Sequence, residues 1–224
     1  MKTTNNIWKN DQGFIWMFVI SLLALISTQL DFGLVGESKL LLRLGFFFVT
    51  LIAINSSSLS HTSRYIGYFI AFIMLLLALL IIKSQSRLLI LLYSIFSTSY
   101  MLFILWLIIN QIFAEGIITL NKIFGGVTSY ILIGHLWSSI YHTLYLINPN
   151  SFQYAGNTIE TTGEALKQLS YFSFVTLTTI GYGDILAISS EARVLVMLEG
   201  LIGQLFPAIF IAKLVALQIE HSRR

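Results

Sequence analysis

Two glycines in one short segment suggest a site for a bare cation. Residues 178–184 are Thr-Thr-Ile-Gly-Tyr-Gly-Asp. A dehydrated cation needs oxygen atoms in place of its water shell, and backbone carbonyl groups can supply them. Gly181 and Gly183 can adopt backbone angles that are costly for other residues, so successive carbonyls can turn toward one axis. Four copies of such a segment would stack rings of oxygen atoms around that axis.

The composition places this segment in a membrane protein. Of the 224 residues, 56% are hydrophobic and only 10% are charged, which is more apolar material than one soluble core can bury. The 13 Lys and Arg residues are scattered without a basic stripe, so no nucleic acid partner is expected. Because the chain has no cysteine, disulfides and thiolate metal sites are excluded.

Six apolar runs are candidate membrane spans, since a bilayer core about 30 Å thick needs roughly 20 apolar helical residues. They cover residues 14–30, 40–54, 65–82, 88–109, 127–147 and 192–218. The second run is short and contains Arg43, which we expect within reach of one membrane surface. An even number of spans puts both termini on the same side.

The region between the fifth and sixth runs predicts a re-entrant element. A polar stretch at 148–163 is followed at 164–177 by an apolar segment too short to cross the membrane. We therefore predict an all-α membrane protein with six transmembrane helices and a re-entrant helix and loop. Residues 1–110 would form a four-helix bundle, 111–126 an amphipathic interfacial linker turning at Gly125-Gly126, and 127–224 a separate domain.

These features resemble the potassium-channel family. Residues 178–184 resemble its selectivity filter, with Ile180 in place of the commoner valine. Residues 171–178 are similar to its pore helix and the last apolar run to its inner helix, so the resemblance covers about residues 125–220. It implies a homotetramer, surrounded by lipid in the plasma membrane with both termini in the cytoplasm, that conducts K⁺ without an organic cofactor.

The resemblance also assigns the ion sites. The K⁺ ligands would be the backbone carbonyls of Thr179, Ile180, Gly181 and Tyr182, together with the Thr179 hydroxyl. The side chain of Tyr182 would also hold the filter wall from behind.

Four more residues would support the filter, namely Thr178, Gly183, Asp184 and Tyr171. Tyr171 stands where family members commonly carry a tryptophan that reaches the aspartate after the filter. Its hydroxyl would donate to Asp184, or else Tyr171 only packs. Val175 occupies the place of a buried glutamate in some members, so that bracing carboxyl pair is absent.

The last apolar run contains a candidate gating hinge. Gly203 falls where the family's hinge glycine is expected, and Pro207 lacks the N–H that would bond the Gly203 carbonyl. A kink that serves packing alone is the alternative. Steps of four residues place Ile211 and Val215 on the same face, which we expect to line the pore.

Three other polar residues lie at membrane depth. Glu199 is a functional candidate by its position, but we favour a bracing role behind the pore helix, through Ser173 or Thr176. His135 and His142 are seven residues apart, roughly 10 Å along a helix. That distance is too long for one shared metal ion, so we expect both to pack.

The layout is that of voltage-gated channels, but the fourth run differs from theirs. Residues 88–109 contain no Lys or Arg, and Lys83 and Arg87 precede the run. Steep voltage gating needs about three to four moving charges per subunit, so we do not expect it.

Other functions fit these residues less well. A poorly selective cation channel usually loses the filter tyrosine or a glycine, and both are present. An intramembrane enzyme is not expected, because paired acids and His-Glu or Ser-His arrangements are missing at membrane depth. A regulatory subunit that assembles with other channel chains remains an alternative.

Overall fold

The computed structural model describes residues 13–29, 61–84, 86–113 and 119–222, which are mostly helical. The helices are α1 (Gly13–Gln29), α2 (His61–Ser84), α3 (Arg87–Ile112), α4 (Leu120–Ile147), α5 (Thr162–Leu177) and α6 (Ser190–Ser222). Five of the six predicted runs are therefore helical. The second run and Arg43 lie outside the described residues, so the six-span topology stays a prediction.

Three described helices are long and apolar enough to cross a membrane. They are Arg87–Ile112, Leu120–Ile147 and Ser190–Ile219. Two shorter apolar helical stretches, Phe14–Gln29 and Gly67–Ile81, accompany them. The short helix α5 lies between the second and third of the long helices, at the place predicted for the re-entrant element.

The start of α4 corrects the predicted linker. The Thr119 hydroxyl caps this helix by accepting a hydrogen bond from the Lys122 amide at 3.3 Å. Gly125 and Gly126 consequently lie inside the helix, and the predicted turn at these glycines is wrong. Both glycines serve packing instead, because a Cβ atom on Gly126 would overlap the ring of Phe210 in α6.

Helix α4 is the centre of the described structure, since α1, α3, α5 and α6 all pack against it. Helix α1 runs along it and is hydrogen-bonded at both ends. The Phe14 amide donates to Asn121 Oδ1 at 2.9 Å, and Gln29 Nε2 donates to the Lys167 carbonyl at 3.2 Å.

The amino-terminal helices pack on different partners. Helix α1 lies against α4 and α5, while α2 packs mainly against α3. In the described residues, α1 and α3 are thus laid onto the carboxy-terminal helices. The four-helix bundle predicted for residues 1–110 includes the second run, which lies outside the described residues, and it stays a prediction. The division into three domains otherwise remains a prediction.

Polar side chains join α3 to α4 along their length, a common form of helix contact in membranes. The contacts run from the Arg87 guanidinium to the Leu146 carbonyl (2.7 and 3.2 Å), from Ser94 to Thr143 (2.7 Å) and from Thr98 to Ser139 (2.7 Å). The Arg87 cation meets the carboxyl end of α4, where the helix dipole favours positive charge. Helix α3 is therefore fixed to α4 at several levels.

A small antiparallel sheet corrects the all-α prediction. Its strands are β1 (Phe152–Tyr154), β2 (Asn157–Thr158) and β3 (Ile185–Ala187), in the order β2-β1-β3. Ala155 and Gly156 connect β1 to β2 with φ angles of 47° and 82°, as in the two-residue turns that match strand twist. The pair Gly156-Asn157 was the available sequence signal for this hairpin.

We expect Gly126→Ala to destabilise the protein by about 1–3 kcal/mol, because the new methyl group overfills the contact with Phe210. Thermal unfolding of the purified protein measures this as a lower Tm. The double variant Gly126→Ala/Phe210→Ala should lose less stability than the sum of the two single variants, since both act on one contact. Simple additivity would contradict the close approach of α4 and α6.

Candidate functional site

The segment 178–184, called here the candidate filter, directly follows the carboxyl end of α5. This helix begins at a cap in which the Thr161 hydroxyl accepts from the Glu164 amide at 3.2 Å. It ends at Leu177, which is fully buried. The negative end of the α5 dipole therefore faces the start of the candidate filter, where it favours a cation.

The carbonyls of the last turn of α5 hold the first amides of the candidate filter. The Thr179 amide donates to the Thr176 carbonyl at 2.9 Å, and the Ile180 amide donates to the Val175 carbonyl at 2.9 Å. Backbone outside a helix needs such partners at membrane depth. These two amides are thus satisfied from behind, and among the described residues no backbone amide donates to the carbonyls of residues 178–183.

The backbone of the candidate filter alternates between two conformations. Thr179, Gly181 and Gly183 have φ angles of 61°, 59° and 78°, while Ile180 and Tyr182 between them do not have positive φ. The two glycines adopt these angles without a Cβ penalty. Thr179 is unexpected, because a β-branched residue in this region is strained and such strain concentrates at functional sites.

The side chains of the candidate filter are largely uncovered in one chain. Ile180 is 54% exposed and Tyr182 is 68% exposed. Large apolar groups are usually buried, and such patches mark surfaces that meet other molecules. The segment is therefore covered on its α5 side and open on the other.

Asp184 is held at the carboxyl end of the candidate filter. Its side chain interacts electrostatically with that of Tyr171, and a hydrogen bond donated by the tyrosine stays a prediction. Its carboxylate also accepts from the Ile185 amide at 3.1 Å, and its carbonyl accepts from the Ala155 amide at 2.9 Å. This end of the segment is thereby tied to α5 and to the sheet.

Glu199 of α6 is fully buried behind α5. One carboxylate oxygen accepts from the Tyr141 hydroxyl of α4, and the other lies 2.5 Å from the Ser173 hydroxyl of α5. Ser173 also contacts the Gly134 carbonyl at 2.8 Å. The network joins α4, α5 and α6, and it supports the bracing interpretation of Glu199 through Ser173.

Gly203 lies at a close approach between α6 and the end of α5. A Cβ atom there would overlap the Leu177 carbonyl oxygen. The Tyr130 hydroxyl donates to the same carbonyl at 2.9 Å. Helix α6 is continuous through both Gly203 and Pro207. Glycine is required at position 203 because the helix contacts the base of the candidate filter there.

The residues predicted to share one face of α6 do not all point the same way. Gly203 is buried, whereas Ile211 and Val215 are 59% and 53% exposed. Steps of four residues on a helix with 3.6 residues per turn drift by about 40° each. Ile211 and Val215 thus lie on the open side of α6, and their role in lining a pore stays a prediction.

The two histidines of α4 contact aromatic rings. His135 lies edge-on to Phe174 with ring centroids 5.3 Å apart, and His142 stacks on Tyr145 at 6.5 Å. Both are buried. Within the described ranges no cluster of His, Asp and Glu suited to a metal ion is found.

Residues 129–219 match a family model described as ion channel. This match supports an ion channel. It contains the candidate filter and most of α4 and α6, and it covers less than half of the 224 residues. With the long apolar helices, it indicates an integral membrane protein and points to transport rather than catalysis.

A comparison with curated proteins finds no match.

We expect Gly203→Ala to destabilise the protein by about 1–3 kcal/mol, because the methyl group would push α6 away from Leu177. Tm and ion flux into liposomes should both fall. Gly200→Ala is the matched control, since a Cβ atom at Gly200 meets nothing within 4 Å. If both variants behave alike, the contact between Gly203 and Leu177 has no role in the site.

Proposed function

We propose that this chain forms a potassium-selective channel, with four copies around one axis and passive conduction through backbone carbonyls. The observation that carries the proposal is the alternating backbone of the candidate filter at the end of a short helix, inside a stretch that matches an ion channel family. In this proposal the carbonyls of Thr179, Ile180, Gly181 and Tyr182, with the Thr179 hydroxyl, replace the hydration shell of K⁺.

The open side of the candidate filter favours assembly of several chains. One chain supplies one strand of the filter, and a closed carbonyl ring needs four. Ile180 and Tyr182, which one chain leaves exposed, would then be covered by neighbouring copies. We propose a homotetramer in lipid, in the plasma membrane with both termini in the cytoplasm.

Residues around the candidate filter take supporting roles in this proposal. Tyr171 and Asp184 hold its outer end, and Thr178 and Gly183 complete the segment. In α6, Gly203 and Pro207 form the bending region, because Pro207 lacks the amide proton that a regular helix would use there. Ile211 and Val215, on the open side of the helix, line the lower pore.

The channel should not be steeply gated by voltage. Helix α3 has no Lys or Arg after its first residue, Arg87. That arginine is bound to the Leu146 carbonyl, and two hydroxyl pairs join the same two helices further along. Helix α3 therefore carries no charge that could move through the membrane field, because its one basic residue is bound to α4.

We expect liposomes that contain only this protein to take up K⁺ and to exclude Na⁺. External barium should block the flux, because it matches K⁺ in size and carries twice the charge. Gly181→Asp should abolish selective flux, since it adds a Cβ atom and a carboxylate to the backbone that is proposed to surround the ion, at a position where glycine has a φ angle of 59°.

Native mass spectrometry of the flux-active fraction should show four chains. Equal permeability to K⁺ and Na⁺ in the unaltered protein would refute the filter. Absence of flux from a correctly assembled protein would favour the regulatory-subunit alternative.

We expect the voltage dependence of the conductance to correspond to a gating charge of less than about one elementary charge per channel. Planar-bilayer recording across a range of voltages measures this slope. Arg87→Gln is the informative variant, because a fixed arginine contributes no gating charge and its loss should leave the slope unchanged. The static role of α3 would be overturned if the wild type showed a gating charge of several elementary charges and Arg87→Gln showed a smaller one.

A further inference from the structure

We infer that the small sheet β2-β1-β3, named here the outer sheet, is a clamp that holds the outer end of the candidate filter in its conducting shape when potassium is scarce. This inference rests on the proposed function. It assigns to Gly156, Tyr145 and Arg193 the role of positioning residues for ion conduction, although none of the three lies in the candidate filter.

The outer sheet is joined directly to the end of the candidate filter. Strand β3 begins at Ile185, immediately after Asp184, and pairs with β1 in the register Tyr154 to Ile185 and Phe152 to Ala187. The Ala155 amide, in the turn beyond β1, donates to the Asp184 carbonyl. The last residue of the candidate filter therefore cannot shift without disturbing this pairing.

The outer sheet is in turn anchored to the helices. Phe152 of β1 is fully buried, with its ring 5.4 Å from that of Tyr141 in α4 and 5.8 Å from that of Phe172 in α5. Through Phe152, the sheet shares the core that also positions α5.

Two hydrogen bonds add to this anchorage. Arg193 Nε of α6 donates to the Ala187 carbonyl at 3.3 Å. The Tyr145 hydroxyl of α4 donates to the Ile159 carbonyl, just beyond β2, at 3.0 Å. The sheet is thereby connected to α4, α5 and α6.

The physical need for a clamp follows from the ion sites themselves. Carbonyl oxygens that converge on one axis repel each other unless a cation lies between them. The inner end of the candidate filter is held by the α5 carbonyls that accept from Thr179 and Ile180. Its outer end is held at Asp184 by the outer sheet, through the Ala155 amide that donates to the Asp184 carbonyl. When ions leave, the strength of that outer attachment decides whether the filter keeps its shape.

Gly156 allows this attachment to be weakened without touching any neighbour. Its φ angle is 82°, and a Cβ atom there would meet nothing within 4 Å. A larger residue therefore acts only through the backbone angle of the turn between β1 and β2. Valine is strongly disfavoured at such an angle, whereas asparagine tolerates it.

The experiment uses the full-length protein in liposomes. Samples are held for increasing times in potassium-free buffer or in potassium, and K⁺ flux is then measured. Gly156→Val should lose flux about tenfold faster than the wild type in potassium-free buffer, and potassium should protect it. Gly156→Asn should resemble the wild type, as should the matched helix variant Gly200→Ala.

Arg193→Gln removes a different anchor and should also hasten the loss, so the test does not depend on one variant assembling. The clamp is refuted if Gly156→Val and Arg193→Gln keep the wild-type time course. It is also refuted if their loss is equally fast with potassium present, because the sheet would then be only structural. If the wild type shows no selective K⁺ flux, the proposed function is refuted, and the clamp is refuted with it.

Discussion

Backbone amides outside a helix must find partners at membrane depth, and this constraint governs the arrangement around the candidate filter. The carbonyls of Val175 and Thr176, at the end of α5, accept from the amides of Ile180 and Thr179. These are carbonyls that a longer helix would have used for itself. The early end of α5 therefore supplies the partners that the irregular segment needs.

Because the candidate filter depends on α5, the rest of the domain serves to hold that helix. Small residues let neighbours approach it closely, as is usual where lipid replaces water around helices. A Cβ atom on Gly134 of α4 would lie 2.6 Å from the Phe174 ring, and one on Gly203 of α6 would overlap the Leu177 carbonyl. Behind them, Glu199 joins Tyr141 and Ser173 in the buried core. Packing and hydrogen bonding thus act on α5 from two sides.

The amino-terminal helices extend this support outward. Helix α1 is hydrogen-bonded near both ends, to Asn121 of α4 and Lys167 of α5. Helix α3 contacts α4 through hydroxyl pairs and through Arg87. Such contacts suit a static scaffold better than a helix that slides past its neighbours.

The chain itself determined those features that depend on neighbouring residues along it. Five apolar runs form helices because about 20 consecutive apolar residues have few other stable states in a membrane. The positive φ angles of Gly181 and Gly183 follow from the freedom of glycine. The contact between Glu199 and Ser173 was one of the two predicted from the position of Glu199 behind the short helix. The positive φ angles of the two glycines were therefore predictable, whereas that of Thr179 was not, because a β-branched residue disfavours this region.

Tertiary structure decided the features that depend on distant partners. Gly126 lies inside a helix and leaves room for the ring of Phe210, and Gly203 leaves room for the Leu177 carbonyl. The outer sheet pairs strands that lie on opposite sides of α5 in the sequence. The local sequence pattern does not predict these contacts, because each joins residues that are far apart along the chain. Only the packing of the folded chain brings them together.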